Sequence, residues 1–142
     1  MKVETILNTK GSGVHTVTVG QPLREAIALL AEHNIGAVVV VDEAGQVAGI
    51  LSERDVLRAA ARNEDLSSRP VSSLMTREVV VGSPQDDVAA VMKTMTNRRF
   101  RHLPIVEQGK LIGLVSMGDL VKARFEQTRG ELATLETQIL DE

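Results

Sequence analysis

The sequence predicts a mixed α+β fold built from two copies of one small unit, and three observations carry that prediction. The stretch Gly49-Ile50-Leu51-Ser52-Glu53-Arg54-Asp55-Val56-Leu57 returns as Gly113-Leu114-Val115-Ser116-Met117-Gly118-Asp119-Leu120-Val121, with Gly, two aliphatics, Ser and Asp at matching places. Helical spacing at Leu23, Ala26, Ile27 and Leu30 returns at Val88, Val91, Met92 and Met95. The stretch 35–41 aligns with 100–106, and 17–20 aligns with 79–82 at a slightly shorter offset. A repeat on this scale means a duplicated structural unit. Each copy reads short helix, strand, helix, strand, turn, strand, helix.

Taken in order, residues 2–8 form a short helix with Val3, Ile6 and Leu7 on one side. The loop 8–13 follows, and its glycines allow positive φ and close backbone approach. Its Lys10 suits a phosphate contact or an ordinary turn equally, since no Walker spacing is present. Strand 14–19 leads to Pro22, which fits the first turn of helix 23–34. The run Val38-Val39-Val40-Val41 reads as a strand buried on both faces. A Gly-containing turn over 42–46 joins it to strand 47–51. The helix from Glu53 fades into the polar, Pro-ended stretch 63–70, a linker. The second copy opens with 71–75, echoing Val3 to Leu7. It continues through strand 78–81, helix 85–98, strand 102–106, a turn at Gln108-Gly109, strand 110–115 and a final helix.

That last helix outruns its counterpart. Val121, Phe125, Thr128, Leu132, Leu135 and Ile139 alternate four and three apart, a heptad-like seam suited to self-association or to packing on its own domain. Gly130 weakens the helix by about 1 kcal/mol relative to Ala. The chain thus divides into a first unit at 1–66, a linker at 67–70, a second unit at 71–125 and a helical extension at 126–142.

Composition narrows the function classes. The chain is 43% hydrophobic, enough for a core, yet has two Phe and no Trp or Tyr, so that core is aliphatic. A net charge of −3 argues against bulk attraction to nucleic acid or anionic membrane. The absence of Cys excludes a disulfide framework and a thiolate nucleophile. Met1-Lys2-Val3-Glu4 does not open a signal peptide, and no apolar run approaches membrane-spanning length. The expectation is a cytoplasmic protein.

Ser52-x-x-Asp55 and Ser116-x-x-Asp119 read as capping boxes, Ser at the N-cap and Asp reaching back. A helix N-terminus also offers free N–H groups to phosphate, here beside a carboxylate able to hold a ribose diol. Arg98-Arg99-Phe100-Arg101-His102 suits phosphate through charge-assisted contacts. It suits a solvated basic helix end equally well, whereas one Phe gives no stacking platform for RNA. His15, His33 and His102 lack metal-ligand spacing, so no metal site is expected. Neither Gly-x-Ser-x-Gly nor His-Glu-x-x-His occurs, and no catalytic constellation is expected.

Paired units ending in Gly-aliphatic-aliphatic-Ser-x-x-Asp, the second preceded by His102-Leu103-Pro104-Ile105-Val106, resemble the cystathionine β-synthase (CBS) domain. Two in tandem resemble the Bateman module over residues 1–125, in the manner of stand-alone bacterial CBS-pair proteins and of the regulatory insert of inosine-monophosphate dehydrogenase. The resemblance implies β-α-β-β-α units packed pseudo-symmetrically through their sheets, two clefts between them, and pairing of modules into a four-unit disc. It implies adenosine ligands in the clefts: AMP first, with ADP, ATP, S-adenosylmethionine or NAD(H) as further candidates. Asp55 and Asp119 then hold ribose, with Ser52 and Ser116 near ribose or phosphate. Arg101 and His102 face phosphate, joined by Arg99, Lys10 or Arg54. Adenine lies among Val17, Ile50, Val79 and Leu114. The copies differ at His102 and Pro104 against Ala37 and Val39, and at Arg54 against Gly118, so the two clefts are expected to differ.

The function expected is a nucleotide-binding regulatory module acting through a homodimer or an effector protein. A ligand-independent interaction scaffold is the alternative. A nucleotide-processing enzyme would need a base, for which only His102 offers itself, and a nucleic-acid binder would need to overcome the acidic net charge.

Overall fold

The computed structural model describes residues 1–11 and 13–140, of Leu140 only the backbone. Ser12 of the expected 8–13 loop, and residues 141–142 of the expected extension, lie outside the described residues. Five helices, α1 (Val3–Lys10), α2 (Leu23–His33), α3 (Glu53–Ala61), α4 (Val88–Arg98) and α5 (Met117–Leu140), are interleaved with five strands among the described residues. The strands are β1 (Thr16–Thr18), β2 (Ala37–Val41), β3 (Val47–Ser52), β4 (His102–Glu107) and β5 (Lys110–Ser116).

In the first copy, β1 runs parallel to β2, and β2 pairs antiparallel with β3. In the second, β4 pairs antiparallel with β5. Both hairpins carry the same irregularity, between Val40 and Val41 in one and between Ile105 and Val106 in the other, beside the pairings Val40–Gly49 and Ile105–Gly113. The connections obey local turn chemistry. Asp42 Oδ1 accepts from the N–H groups of Ala44 and Gln46 with Gly45 at φ 79°, while Gln108 and Gly109 take φ 49° and 78°, a two-residue hairpin.

The expected strand at 78–81 does not form. Its place is taken by one parallel bridge between Gly82 and Ile105, where Gly82 N–H donates to Pro104 O and Val106 N–H to Gly82 O, both at 2.8 Å. In the first copy, Val39 N–H extends the corresponding ladder by donating to His15 O at 3.4 Å. Pro104 stands at the position of Val39 and has no N–H, so the second ladder stops there. Two smaller differences concern helix starts. Pro22 is the N-cap residue of α2, with ψ 138°, outside the first turn. Helix α4 begins at Val88 because Asp87 caps it, accepting from Ala90 N–H at 3.0 Å.

Packing is crosswise. Val3, Ile6 and Leu7 of α1 are buried with Val88, Val91, Met95, Leu103, Ile105, Val115 and Leu120 from the second copy. Val71 and Met75, in and just after a 3-10 turn at Val71–Ser73, are buried with Val17, Leu23, Ala26, Leu30, Val38, Val40 and Leu51 from the first. The leading segment of each copy therefore completes the core of the other. Backbone bonds fix the exchange: Val3 N–H donates to Asp86 O and Val71 N–H to Gln21 O, both at 2.9 Å. Fully buried side chains such as Leu23, Leu51, Ile105 and Leu120 contribute roughly 1.5–3 kcal/mol each by leaving water.

The repeated glycines mark the closest approach. A Cβ at Gly49 would lie 2.7 Å from Thr76 O and 2.8 Å from Met75 Sδ, and one at Gly113 would lie 2.6 Å from Leu7 Cδ2. The first clash includes a backbone oxygen already paired with Ile50 N–H at 3.0 Å, whereas the second meets only a flexible side-chain end. Gly49→Ala is therefore expected to cost about 1–3 kcal/mol of folding stability and Gly113→Ala clearly less. Paired urea denaturation curves check the order of the two.

Candidate functional site

Each motif Ser ends a strand and caps the next helix. Ser52 Oγ accepts from Asp55 N–H at 3.3 Å, and Asp55 Oδ2 accepts from Ser52 N–H at 2.9 Å and Ser52 Oγ at 3.1 Å, a complete capping box. Ser116 and Asp119 repeat it at 3.1 and 2.9 Å. The motif carboxylates are thus held by their own helix starts. Among the described residues Asp55 Oδ1 accepts no hydrogen bond, so one oxygen is free for a ligand.

A cleft of about 1140 Å³ opens between the two copies. It collects Ser52, Arg54, Asp55 and Arg58 from the start of α3, and Ser116 and Gly118 from the start of α5. From the end of α4 and the entry to β4 come Arg98, Arg99, Arg101 and His102. Ile50, Val79 and Val80 give it an apolar wall. Val79 and Val80 lie just before the single bridge at Gly82, as Val14 and His15 lie just before β1.

The cleft is basic in an acidic chain. Five Arg and His102 face three carboxylates, Glu53, Asp55 and Glu78. Among the described residues none of those five guanidinium groups makes an ion pair within 4.0 Å. Two helix N-termini add partial positive charge, so the cleft suits an anion. Arg99 takes the left-handed conformation at φ 59° where its counterpart in the first copy, Asn34, takes φ 51°. Asn tolerates that region more readily than Arg, so this guanidinium comes with a backbone cost that Asn would lessen.

The second motif is arranged differently. Lys10 Nζ lies 2.6 Å from Asp119 Oδ2 and donates to Leu114 O at 2.7 Å. Lys10 reaches it because α1 continues to Lys10, whereas its counterpart stops after one 3-10 turn and Thr76 pairs with Ile50 instead. Burial raises the Asp119 carboxyl, but the Lys10 and Ser116 hydrogen bonds outweigh it and hold the group below its ordinary value. Burial also lowers His102, helped by the charges of Lys10 and Arg101 against the opposing pull of Asp119 and Glu53. Gly36 lies beside both groups: a Cβ there would be in ordinary contact with His102 Nε2 at 3.4 Å and Glu53 Oε1 at 3.6 Å.

Of the residues singled out from sequence, Ser52, Asp55, Arg54, Arg99, Arg101, His102, Ser116, Ile50 and Val79 line this cleft. Lys10, Leu114 and Asp119 gather at the second motif, where Lys10 donates to the Asp119 carboxylate and to Leu114 O. Val17, expected against adenine, is 2% exposed within the first core because the β1 ladder holds it there. Arg98, read from sequence as part of the basic run, also lines the cleft, as does Arg58, which the sequence reading did not single out. Arg58 stands one helical turn from Arg54, and that spacing was the available signal. His15 and His33 stack with ring centroids 4.0 Å apart, away from the cleft lining. Among the described residues no group of three or more His, Cys, Asp or Glu could hold a metal ion, and no helix is long and apolar enough to cross a membrane.

Two pseudo-symmetric units that meet at an anion-suited cleft, each closing on Gly-aliphatic-aliphatic-Ser-x-x-Asp, define a tandem-repeat module. The CBS domain model matches residues 4–62 and 71–126, and the chain belongs to that family as a tandem pair. It is 37% identical over 119 residues to the CBS domain-containing protein YhcV of Bacillus subtilis, covering 83% of this chain and 84% of that one. The crystal structure of the CBS-domain containing protein ATU1752 from Agrobacterium tumefaciens superposes with a TM-score of 0.81 at 42% identity, covering 87% and 92% of the two chains. The CBS domain pair of protein MJ0100, in complex with 5'-methylthioadenosine and S-adenosyl-L-methionine, superposes at 0.79 with 25% identity, covering 89% of this chain and 98% of that one.

Both lowered groups make acid destabilising. Below the ordinary His value of 6.5 the unfolded chain takes up a proton that native His102 resists, so stability falls as pH falls through that window. Asp119 contributes stability above its ordinary 3.8, and this is lost as pH drops through its lowered value. Removing the Lys10 charge in Lys10→Met is expected to raise both titration midpoints. An NMR titration of the His102 ring and the Asp119 carboxyl checks it; an unmoved Asp119 midpoint would contradict the assigned contact.

Proposed function

We propose that this chain is a regulatory binding module for an adenine nucleotide, with AMP the first candidate and ATP or NAD(H) next. The observation that carries the reading is the first cleft. There a carboxylate with one free oxygen, an apolar wall and an excess of unpaired guanidinium groups share one concave surface. Asp55 Oδ1 accepts from the ribose hydroxyls, Ile50 and Val79 flank the base, and Arg54, Arg99 and Arg101 take the phosphate. His102 joins them when it gains a proton beside the phosphate. The adenosine ligands of the MJ0100 pair support the class of molecule.

The second motif takes a nucleotide less readily, because Lys10 must first leave Asp119. The module binds and does not process its ligand. Its output passes through self-association or an effector protein, and it requires the ligand to favour one arrangement of the two copies over another.

The test is calorimetric titration of AMP, ATP and NAD into the chain, alongside the ultraviolet spectrum of its acid-soluble extract. With no Trp or Tyr, a carried adenine would dominate that spectrum. Asp55→Ala should weaken binding by roughly 10- to 150-fold, the worth of hydrogen bonds to a charged group. Asp119→Ala should change it far less. No heat and no thermal shift with any of the three would remove the nucleotide reading and leave the interaction scaffold.

A further inference from the structure

Helix α5 leaves the body with an apolar seam uncovered. Val121, Phe125, Leu132, Leu135 and Ile139 are each 50% exposed or more, although isolated apolar residues of this size gain by leaving water. With Thr128 they form six seam positions alternating four and three apart, over about 27 Å at 1.5 Å per residue. That period is the one in which a seam keeps facing a second helix. We infer that the seam of α5 is covered by α5 of a second copy of this chain, packed antiparallel.

The flanking charges choose both the occupant and its direction. One flank of the seam carries Lys122, Arg129 and Glu136, and the other carries Arg124, Glu131 and Gln138. In a parallel pair, each flank meets the opposite flank five residues on. Arg124 would meet Arg129 and Glu131 would meet Glu136, each twice, so every close charged pair is repulsive. In the antiparallel pair with full overlap, Lys122 of each copy meets Glu136 of the other, and Arg124 meets Gln138. Only Arg129 and Glu131 meet their own kind, once each, and the Arg129 guanidinium already lies 5.8 Å from the Phe125 ring centroid. The same register stacks Val121 on Ile139, Phe125 on Leu135 and Thr128 on Leu132. The polar Thr128 then never faces itself, and bulky Phe125 faces a flexible aliphatic. The helix is complementary to its own reversed copy, which is what a two-fold interface requires.

This inference does not rest on the nucleotide reading, and its test uses no ligand. Sedimentation velocity of the full chain at micromolar concentration is expected to show a dimer, and Leu132→Glu combined with Leu135→Glu is expected to show a monomer that still unfolds cooperatively, with a melting midpoint that no longer rises with protein concentration. Both leucines are more than half exposed on one copy, so the body's cores are untouched. Because the chain has no cysteine of its own, direction can be read directly. Val121→Cys and Ile139→Cys chains, one carrying a size tag, are mixed and oxidised. Antiparallel packing yields the mixed disulfide. A monomeric parent chain, a dimer that survives the double Glu variant, or only same-site disulfides would each overturn the proposal.

Discussion

Each hydrophobic cluster in this protein is completed by a segment from the other half of the sequence, and the remaining features depend on that exchange. Val3, Ile6 and Leu7 close the second core, and Val71 and Met75 close the first. The exchanged segments lie against the strands that carry Gly49 and Gly113, so close that a single added carbon would meet them below 3.0 Å. Those same strands end, three residues later, at Ser52 and Ser116. The cleft-forming motifs are therefore tied by a short length of stiff backbone to the contacts that join the two copies. Packed cores do not deform continuously. A molecule wedged between the motifs would have to repack one of those contacts or leave the arrangement unchanged, and this is the physical route by which occupancy becomes a change of shape.

Duplication alone would give two equivalent clefts, and three kinds of difference undo the equivalence. Pro104 at the place of Val39 removes the N–H that in the first copy bonds His15 O, so the second copy keeps one bridge, Gly82 to Ile105, where the first has the three-residue ladder of β1. By that register Gly82 stands at the place of Val17, and Val79 and Val80, which precede it, line the cleft. Helix α1 runs on to Lys10, which occupies Asp119, while the 3-10 turn at Val71–Ser73 ends early. Arg54 stands where the second copy has Gly118, and Arg99 and Arg101 stand where the first copy has Asn34 and Gly36. All three changes act in one sense, opening and charging one cleft while occupying the motif of the other.

Much of this was legible in the sequence, for a definable reason. The repeat, the aliphatic strands, the capping boxes and the heptad of α5 are local or periodic patterns, and local patterns survive into structure. Asp55, Ser52, Arg99, Arg101 and His102 come together along one cleft because strand ends and helix starts converge in this topology. What stayed hidden was decided by partners far apart in the chain. Pro104 reads as an ordinary strand residue until the ladder on its other edge is known. Lys10 reads as a free cation until α1 is seen to pack on the second copy, over a hundred positions away. Val17 reads like Val79 because the two tetrapeptides look alike, yet the pairing of Val17 with Val40 and of Gly82 with Ile105 puts Val17 opposite the place of Gly82, three residues on.

The basic cleft itself runs against stability. Five guanidinium groups share a concave surface without an ion pair, and one sits on a left-handed residue where the first copy uses Asn. Like charges in a region partly shielded from water repel more strongly than on an open surface, and a non-Gly residue at positive φ adds a cost of its own. Nothing in the packing of either core asks for these residues. Buried polar side-chain atoms lacking a partner are absent among the described residues, and the helices that follow the motifs and α4 start at capped residues. A cluster of unpaired like charges in one cleft marks that cleft as a part shaped by something other than folding. The sign of the inconsistency, positive charge with no internal partner, specifies what would relieve it: an anion brought in from outside.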